Sequence, residues 1–396
     1  MLNEKMIGLG SAPNDIRALF AYGLARKAEI GEDKVFDFSI GNPSVPAPAE
    51  VSATIKRLLD EEDPVALHSY TPSPGRFETR KAVADHLSRH FDIAAKPEQV
   101  YITSGASSSL AISFKAVACE GEEVIVPSPY FTEYKTWVEA TGASIVEVPC
   151  LEPSFQLDVP AIEAAITPRT AAIVVNSPNN PVGAVYTKES LERLAAVLAR
   201  KEQEFGTSIY LIADEPYRAI TYGKEVPFIP TIYARTILCY SFSKTLSLPG
   251  ERLGFIYVSD LMENPQETTY AIQGAGRSLG YICCSALWQR VLEECIELPT
   301  DVEAYRVNRE ILTKGLSELG YEYVEPNGAF YLWVKALEPD AVAFSNRAKD
   351  FELLFCPSDG FGGKGWFRLS YCIARETIEN SLPAFAALKK AYDDQA

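Results

Sequence analysis

The 396-residue sequence has no apolar stretch long enough to cross a bilayer, no C-x-x-C pair, no internal repeat, no low-complexity segment and no Pro/Ser/Gly linker. These absences argue against a membrane span, a thiol metal cluster, a solenoid and loosely tethered domains. Basic residues are in deficit: 37 Lys and Arg stand against 53 Asp and Glu, a net charge of −16. Phosphate backbones and anionic lipid surfaces repel such a chain, so neither nucleic acid nor membrane is expected as a partner. The opening "MLNEKMIGLGSAPNDIRALF" has neither the basic start nor the apolar core of a secretory signal, and a cytoplasmic location is expected. Eight cysteines are scattered singly except for Cys283 and Cys284, so reduced thiols are the default. Only three histidines occur. His86 and His90 in "AVADHLSRHF" could share a helix face as metal ligands, but no acidic or thiol residue near them in the sequence completes a set. They read as polar positions of an amphipathic helix, and no metal is expected.

What is present is a 47% hydrophobic, 23% charged chain, long enough for two domains with substantial cores. Strand-length apolar runs alternate with helical patterns: "QVYITSG", "EEVIVPSP", "TAAIVVNSP", "SIYLIADEP", "RTILCYSFS" and "GFIYVS". Such alternation predicts an α/β domain with a mostly parallel sheet covered by helices. From about Thr300 the texture changes towards a smaller α+β domain. The expected division is a large domain over 45–286, with 1–44 and 287–396 forming an N-terminal arm and the small domain. The Pro-punctuated "DFSIGNPSVPAPAE" reads as a rigid connecting loop.

In an open α/β sheet, ligands gather where strands end. The polar residues Ser104 and Gly105, Asn176 to Asn180, Asp214, and Ser241 to Lys244 all lie at such ends. In "SFSKTLSLPGERLG", Lys244 offers an amine that, once desolvated, attacks carbonyls, while Ser241 and Arg252 could hold a phosphate beside it. Taken alone, this segment favours the plainer reading, Lys244 as a solvated loop residue and Arg252 in a surface ion pair. "TSGASSSL" follows a strand and opens a helix, which makes an anion site or simply a cap. Asp214 in "ADEPY" could be solvated, cap a helix, or pair with a cation such as a protonated ring nitrogen. Asn180 in "NSPNNPVG" stands before proline, where turn chemistry is common.

The ordered set "NSPNNPVG", "ADEPY", "SFSKTLSLPGERLG" and "FRLSY" resembles the class I aminotransferases of fold type I, the pyridoxal-phosphate enzymes related to aspartate aminotransferase. The resemblance runs from "SIGNPSVPAP" to "FRLSY" and implies a seven-stranded, mostly parallel sheet in the large domain. It implies that Lys244 bonds the cofactor aldehyde and then shuttles the substrate Cα proton. It makes Asp214 the partner of the pyridine nitrogen, and Asn180 and Tyr217 donors to the phenolic oxygen. Ala106, Ser107, Ser241 and Arg252 match the phosphate cup, and Tyr70 in "HSYTPSPG" matches a tyrosine that reaches the phosphate from a neighbouring subunit. Phe131 sits where an aromatic ring stacks on the cofactor, a role compatible with core packing. Arg368 matches the arginine that grips the substrate α-carboxylate, helped by the Gly41 backbone and Asn180; an arginine in a strand-like segment is otherwise most often a surface cation. A homodimer is implied.

Some bacterial relatives place a lysine beside the cup to bind a dicarboxylic side chain, where this chain has Ser107. Arg277 and Arg76 are the remaining candidates for reading a distal carboxylate, or are surface residues. Expected is amino transfer from an aspartate-type or an aromatic or neutral L-amino acid to a 2-oxo acid, with 2-oxoglutarate as acceptor, in amino acid metabolism. The alternative is a C–S lyase or related synthase built on the same pocket, since the cofactor directs several reactions from one carbanion. A ligand-sensing domain of a transcription regulator needs a DNA-binding segment for which there is no room before "DFSIGNP".

Overall fold

The computed structural model describes residues 2–11 and 15–394. The chain divides into two compact units, the larger being Pro43–Val302 with Asn327–Ala329 and the smaller the remainder. Among the described residues no helix is long and apolar enough to cross a membrane.

The larger unit is built on seven strands: β1 (Val100–Thr103), β2 (Glu123–Ser128), β3 (Ser144–Pro149), β4 (Thr170–Asn176), β5 (Tyr210–Asp214), β6 (Thr236–Ser241) and β7 (Gly254–Val258). They lie in the order β1-β7-β6-β5-β4-β2-β3. All neighbours run parallel except β7, which is antiparallel to both β1 and β6. Every residue of β4 is buried, as expected for a strand covered on both faces. Alternation shows in which core each side chain joins: Ile173 and Val175 pack into one hydrophobic cluster, Ala172 and Val174 into another. Helix Lys188–Phe205 covers the first face with Leu191, Leu194 and Leu198. The Thr187 hydroxyl caps its start by accepting from the Ser190 amide, and Gly206, at φ 67°, ends it in the left-handed region.

Residues 287–302, expected in the small domain, fall in the larger unit. Helix Ala286–Cys295 packs on helices Ala49–Glu61 and Phe77–Phe91, and its Val291, Leu292 and Cys295 belong to the first core cluster. The apolar face of this helix therefore holds it there. The change of texture at Thr300 marks the boundary better than residue 286.

The smaller unit holds a four-stranded antiparallel sheet, in the order Cys356–Pro357, Trp366–Ser370, Tyr331–Lys335 and Tyr323–Val324. A separate parallel pair joins Phe36–Asp37 to Leu353–Leu354. Helix Arg375–Asp393 packs against that pair, burying Ile378, Phe385 and Leu388.

Candidate active site

Strands β1, β4, β5 and β6 all point their C-terminal ends to one edge of the large sheet. Register aligns the polar residues there: Asn176 lies beside Asp214, while Thr103 and Ser241 both lie beside Gly254. A side chain at Gly254 would collide with the Tyr240 carbonyl and the Gly105 backbone, so only glycine lets β7 close this edge.

Asp214 is 4% exposed. Its Oδ2 accepts a 2.5 Å hydrogen bond from the Tyr134 hydroxyl, and Asn176 Nδ2 donates to its main-chain oxygen at 2.8 Å. Its Oδ1 is buried and has no hydrogen-bond partner among the described residues. Burial pushes the carboxyl up to about 7, with the Tyr134 hydrogen bond opposing and Glu215 adding to the rise. A buried carboxylate oxygen of this kind calls for a cationic donor, because leaving it unpaired is costly. Glu215 does not supply one: it is buried and paired with Arg218. Phe131 stands edge-on to Tyr134, ring centroids 5.9 Å apart. Asn180 and Tyr217 are both buried, and the Asn180 amide donates to Asn176 Oδ1 at 2.6 Å.

Beyond β6, Lys244 lies in the one-turn helix Phe242–Thr245. The Ser241 hydroxyl caps this turn, accepting from the Ser243 amide at 3.1 Å and donating to the Ser243 hydroxyl at 2.8 Å. Arg252, at φ 54°, folds back: Nη1 donates to Ser243 Oγ at 3.3 Å and to the Pro249 carbonyl, and Nη2 donates to the Ser104 carbonyl. Its guanidinium thereby presses on Gly105, where an added Cβ would come within 2.5 Å of Nη2. Gly105, at φ 84° and ψ 175°, is the N-cap of helix Ala106–Val117, in a region of backbone space that is almost glycine-only. Through Ser243 and Gly105 the Ser241 hydroxyl and the Arg252 cation are tied to the start of helix Ala106–Val117, an end that suits an anion.

In the smaller unit Arg368 is 3% exposed, on the strand paired with Tyr331–Lys335. Nη2 donates to the Ser39 carbonyl at 2.6 Å, and the guanidinium carbon lies 4.6 Å from the Tyr331 ring centroid and 4.9 Å from that of Phe361. Gly41 is in the same group: a Cβ there would collide with the Tyr331 hydroxyl. The surface-cation reading of Arg368 therefore fails, because a guanidinium held among rings and a carbonyl is positioned rather than solvated.

Outside these groups, Tyr70 is 98% exposed within the chain. Arg277 is exposed in the last turn of helix Pro265–Ser278. Arg76 is committed to Glu293 at 2.9 Å and Glu78 at 3.2 Å, which reduces its availability to a substrate carboxylate. Sequence reasoning missed Tyr134 as the partner of Asp214. Its signal was present in "SPYFTEY", where three aromatics follow the end of β2, but nothing local says which of them turns towards β5.

Over residues 33–385 the chain matches the family described as aminotransferase class I and II. It is 32% identical over 390 residues to aromatic-amino-acid aminotransferase 2 of Thermococcus litoralis, covering 93% of this chain and 94% of that one. To the aspartate/prephenate aminotransferase of Thermus thermophilus it is 33% identical over 360 residues, covering 87% and 89%. Among solved structures, an aminotransferase of Eubacterium rectale superposes with a TM-score of 0.97 at 46% identity, covering 99% of each chain. The Thermus thermophilus aspartate aminotransferase with maleate gives 0.87 at 30% identity, covering 98% of this chain and 99% of that one. With the family matched across most of its length and its fold reproduced, this chain belongs to the class I and II aminotransferases, a family that works with pyridoxal phosphate, and is itself an aminotransferase.

Proposed function

We propose that the protein binds pyridoxal 5′-phosphate at the strand-end cluster of the larger unit and transfers the amino group of an aromatic or dicarboxylic L-amino acid to 2-oxoglutarate. The observation that carries this reading is Asp214: a fully desolvated carboxylate with one oxygen hydrogen-bonded and the other waiting for a cationic N–H. The residues present fit the cofactor, since an anion cradle and a buried carboxylate stand along one edge of the sheet, near a lysine. When bound, the cofactor supplies an electron sink that stabilises the carbanion formed at the substrate Cα.

The rest is the work of this chain. Ser241, Arg252 and the amides of Ala106 and Ser107 hold the phosphate. Asp214 would accept from the ring N–H and keep that nitrogen protonated, with Tyr134 and Asn176 fixing the carboxylate. Phe131 would stack on the ring, and Asn180 and Tyr217 would donate to the phenolic oxygen. Lys244 Nζ would hold the cofactor at its aldehyde carbon and, once freed, would act as the base that carries the proton from the substrate Cα. In the smaller unit, Arg368 with the Gly41 backbone suits a carboxylate, as a fixed guanidinium grips one in a bidentate fork. We place the enzyme in the cytoplasm, a reducing compartment that suits eight cysteines scattered singly except for Cys283 and Cys284.

The donor is read by assay. With 2-oxoglutarate as acceptor, phenylalanine, tyrosine and aspartate are expected to turn over faster than aliphatic donors, in keeping with the substrates in the names of the two relatives. Ammonia and pyruvate released from cysteine or cystathionine with no 2-oxo acid present would instead establish the lyase chemistry and sink this reading.

We further propose a homodimer in which Tyr70 reaches the partner's phosphate cradle, a role that its exposure within the single chain supports. Light scattering on the holoenzyme is expected to give twice the chain mass, and Tyr70→Ala to weaken retention of the cofactor. A fully active monomer would defeat the proposal.

A further inference from the structure

Outside the strand-end cluster, the fold assembles a second group of chemically active side chains. His86 and His90 lie one turn apart on helix Phe77–Phe91, ring centroids 4.4 Å apart. The carboxylate that the local sequence failed to provide arrives from 207 and more positions away, because helix Ala286–Cys295 packs on the same helix and delivers Glu297 just beyond its end. His86 Nδ1 lies 3.0 Å from Glu297 Oε1, and His90 Nε2 lies 2.8 Å from Oε2. One donor atom from each residue falls within 4.8 Å of the others.

We propose that His86, His90 and Glu297 form a three-ligand site for a borderline-soft divalent cation, with Zn²⁺ as the best chemical match. Two imidazoles and one carboxylate are a ligand set that Zn²⁺ favours, and at metal–ligand distances near 2.0 Å a tetrahedral ion spaces its donors by about 3.3 Å. The two imidazoles now meet different oxygens of the Glu297 carboxylate, at 3.0 and 2.8 Å, and with all three donors within 4.8 Å of one another side-chain rotation suffices to bring them round one ion. Helical i, i+4 spacing holds the two imidazoles on one face, so little side-chain ordering remains to oppose binding. Arg89 also touches the group, its Nη1 2.5 Å from Glu297 Oε1; with 60% of its side chain exposed it can swing into solvent when an ion takes its place. The chain's net charge of −16 favours cation binding.

The three ligands also line a cavity of about 340 Å³, whose other walls include Phe242, Thr245 and Leu246, close to Lys244 in the chain. Three protein ligands leave a tetrahedral ion one open position, available to water or to a small anion entering that cavity.

The test uses untagged holoenzyme freed of metal by chelation, in a background with the exposed Cys119 and Cys283 changed to serine so that thiols do not compete. Equilibrium dialysis against Zn²⁺ is expected to show one ion per chain. Loss of a ligand should cost more than loss of the groups that merely orient ligands, so His90→Ala and Glu297→Gln should each weaken binding by about a hundredfold or more. Co²⁺ substitution should give visible d–d bands in the parent that both variants lack. Metal-free His90→Ala is expected to transaminate at the parent rate, which separates this site from the catalytic one. A parent that takes up no Zn²⁺ at millimolar concentration, or variants that bind it as the parent does, would overturn the proposal.

Discussion

Lys244→Ala is expected to stop transamination, with a loss of at least about 10⁴-fold in kcat, the upper end of what a positioned proton carrier contributes, and more because the covalent tether to the cofactor is lost as well. Two readouts should move together: the near-visible absorbance of the lysine-bound cofactor, and turnover with any donor. The variant should still fold, because the turn Phe242–Thr245 is capped by Ser241 and anchored by the buried Phe242 and Thr245, none of which the substitution touches. Circular dichroism and thermal midpoint close to those of the wild type would establish this. A Lys244→Ala protein that keeps full activity would remove Lys244 from the mechanism and, with it, the proposed chemistry.

The second large effect belongs to Asp214. Asp214→Asn keeps the size of the side chain and can still meet a ring N–H, but it removes the charge that keeps the nitrogen protonated. A fall of about 10²- to 10³-fold in kcat is expected, the scale of losing one preorganised electrostatic contact in a water-excluded site. Stability should respond too, in the cofactor-free protein. The folded carboxyl titrates near 7 against 3.8 for the free group, so the folded state holds its proton more tightly than the unfolded chain does. That contribution is complete below about pH 4 and is lost as pH rises through 7, amounting to at most about 4 kcal/mol. Denaturant unfolding of the cofactor-free wild type should therefore show stability falling from pH 5 to pH 8 relative to Asp214→Asn, and adding cofactor should reduce the difference by giving the ionised carboxylate its cation. Parallel pH profiles for the two proteins would contradict the assignment of Asp214 as the buried, unpaired acid.

Much of this protein is legible in one dimension, and for a definable reason. A strand covered on both faces is a continuous apolar run, and such a run must end where the chain meets polar surroundings, so "TAAIVVNSP" and "SIYLIADEP" announce both the sheet and its functional edge. The glycine at 105 and the serine at 241 are likewise local demands, one of backbone conformation and the other of a helix start. Lys244, Asp214 and Arg252 could be singled out because their neighbours in the chain already narrowed what they could do.

Which side chains meet was decided only by the tertiary structure. Tyr134 pairs with Asp214 across 80 residues, Arg76 is neutralised by Glu293 across 217, and Glu297 comes to His86 across 211. Helix Ala286–Cys295 joins the large unit because its apolar face finds two helices there, a preference written in the packing and not in its own periodicity. Contacts of that separation depend on which faces of distant elements are buried together, and a sequence records each face without naming its partner. So the sequence alone determined the α/β architecture and the strand-end edge, and offered Lys244, Asp214, Arg252 and Arg368 as candidates through the resemblance of its ordered motifs. The fold decided how Asp214 is held, how Arg368 is seated among Ser39, Tyr331 and Phe361, and that two histidines without an acidic partner nearby in the chain have the Glu297 carboxylate beside them in space.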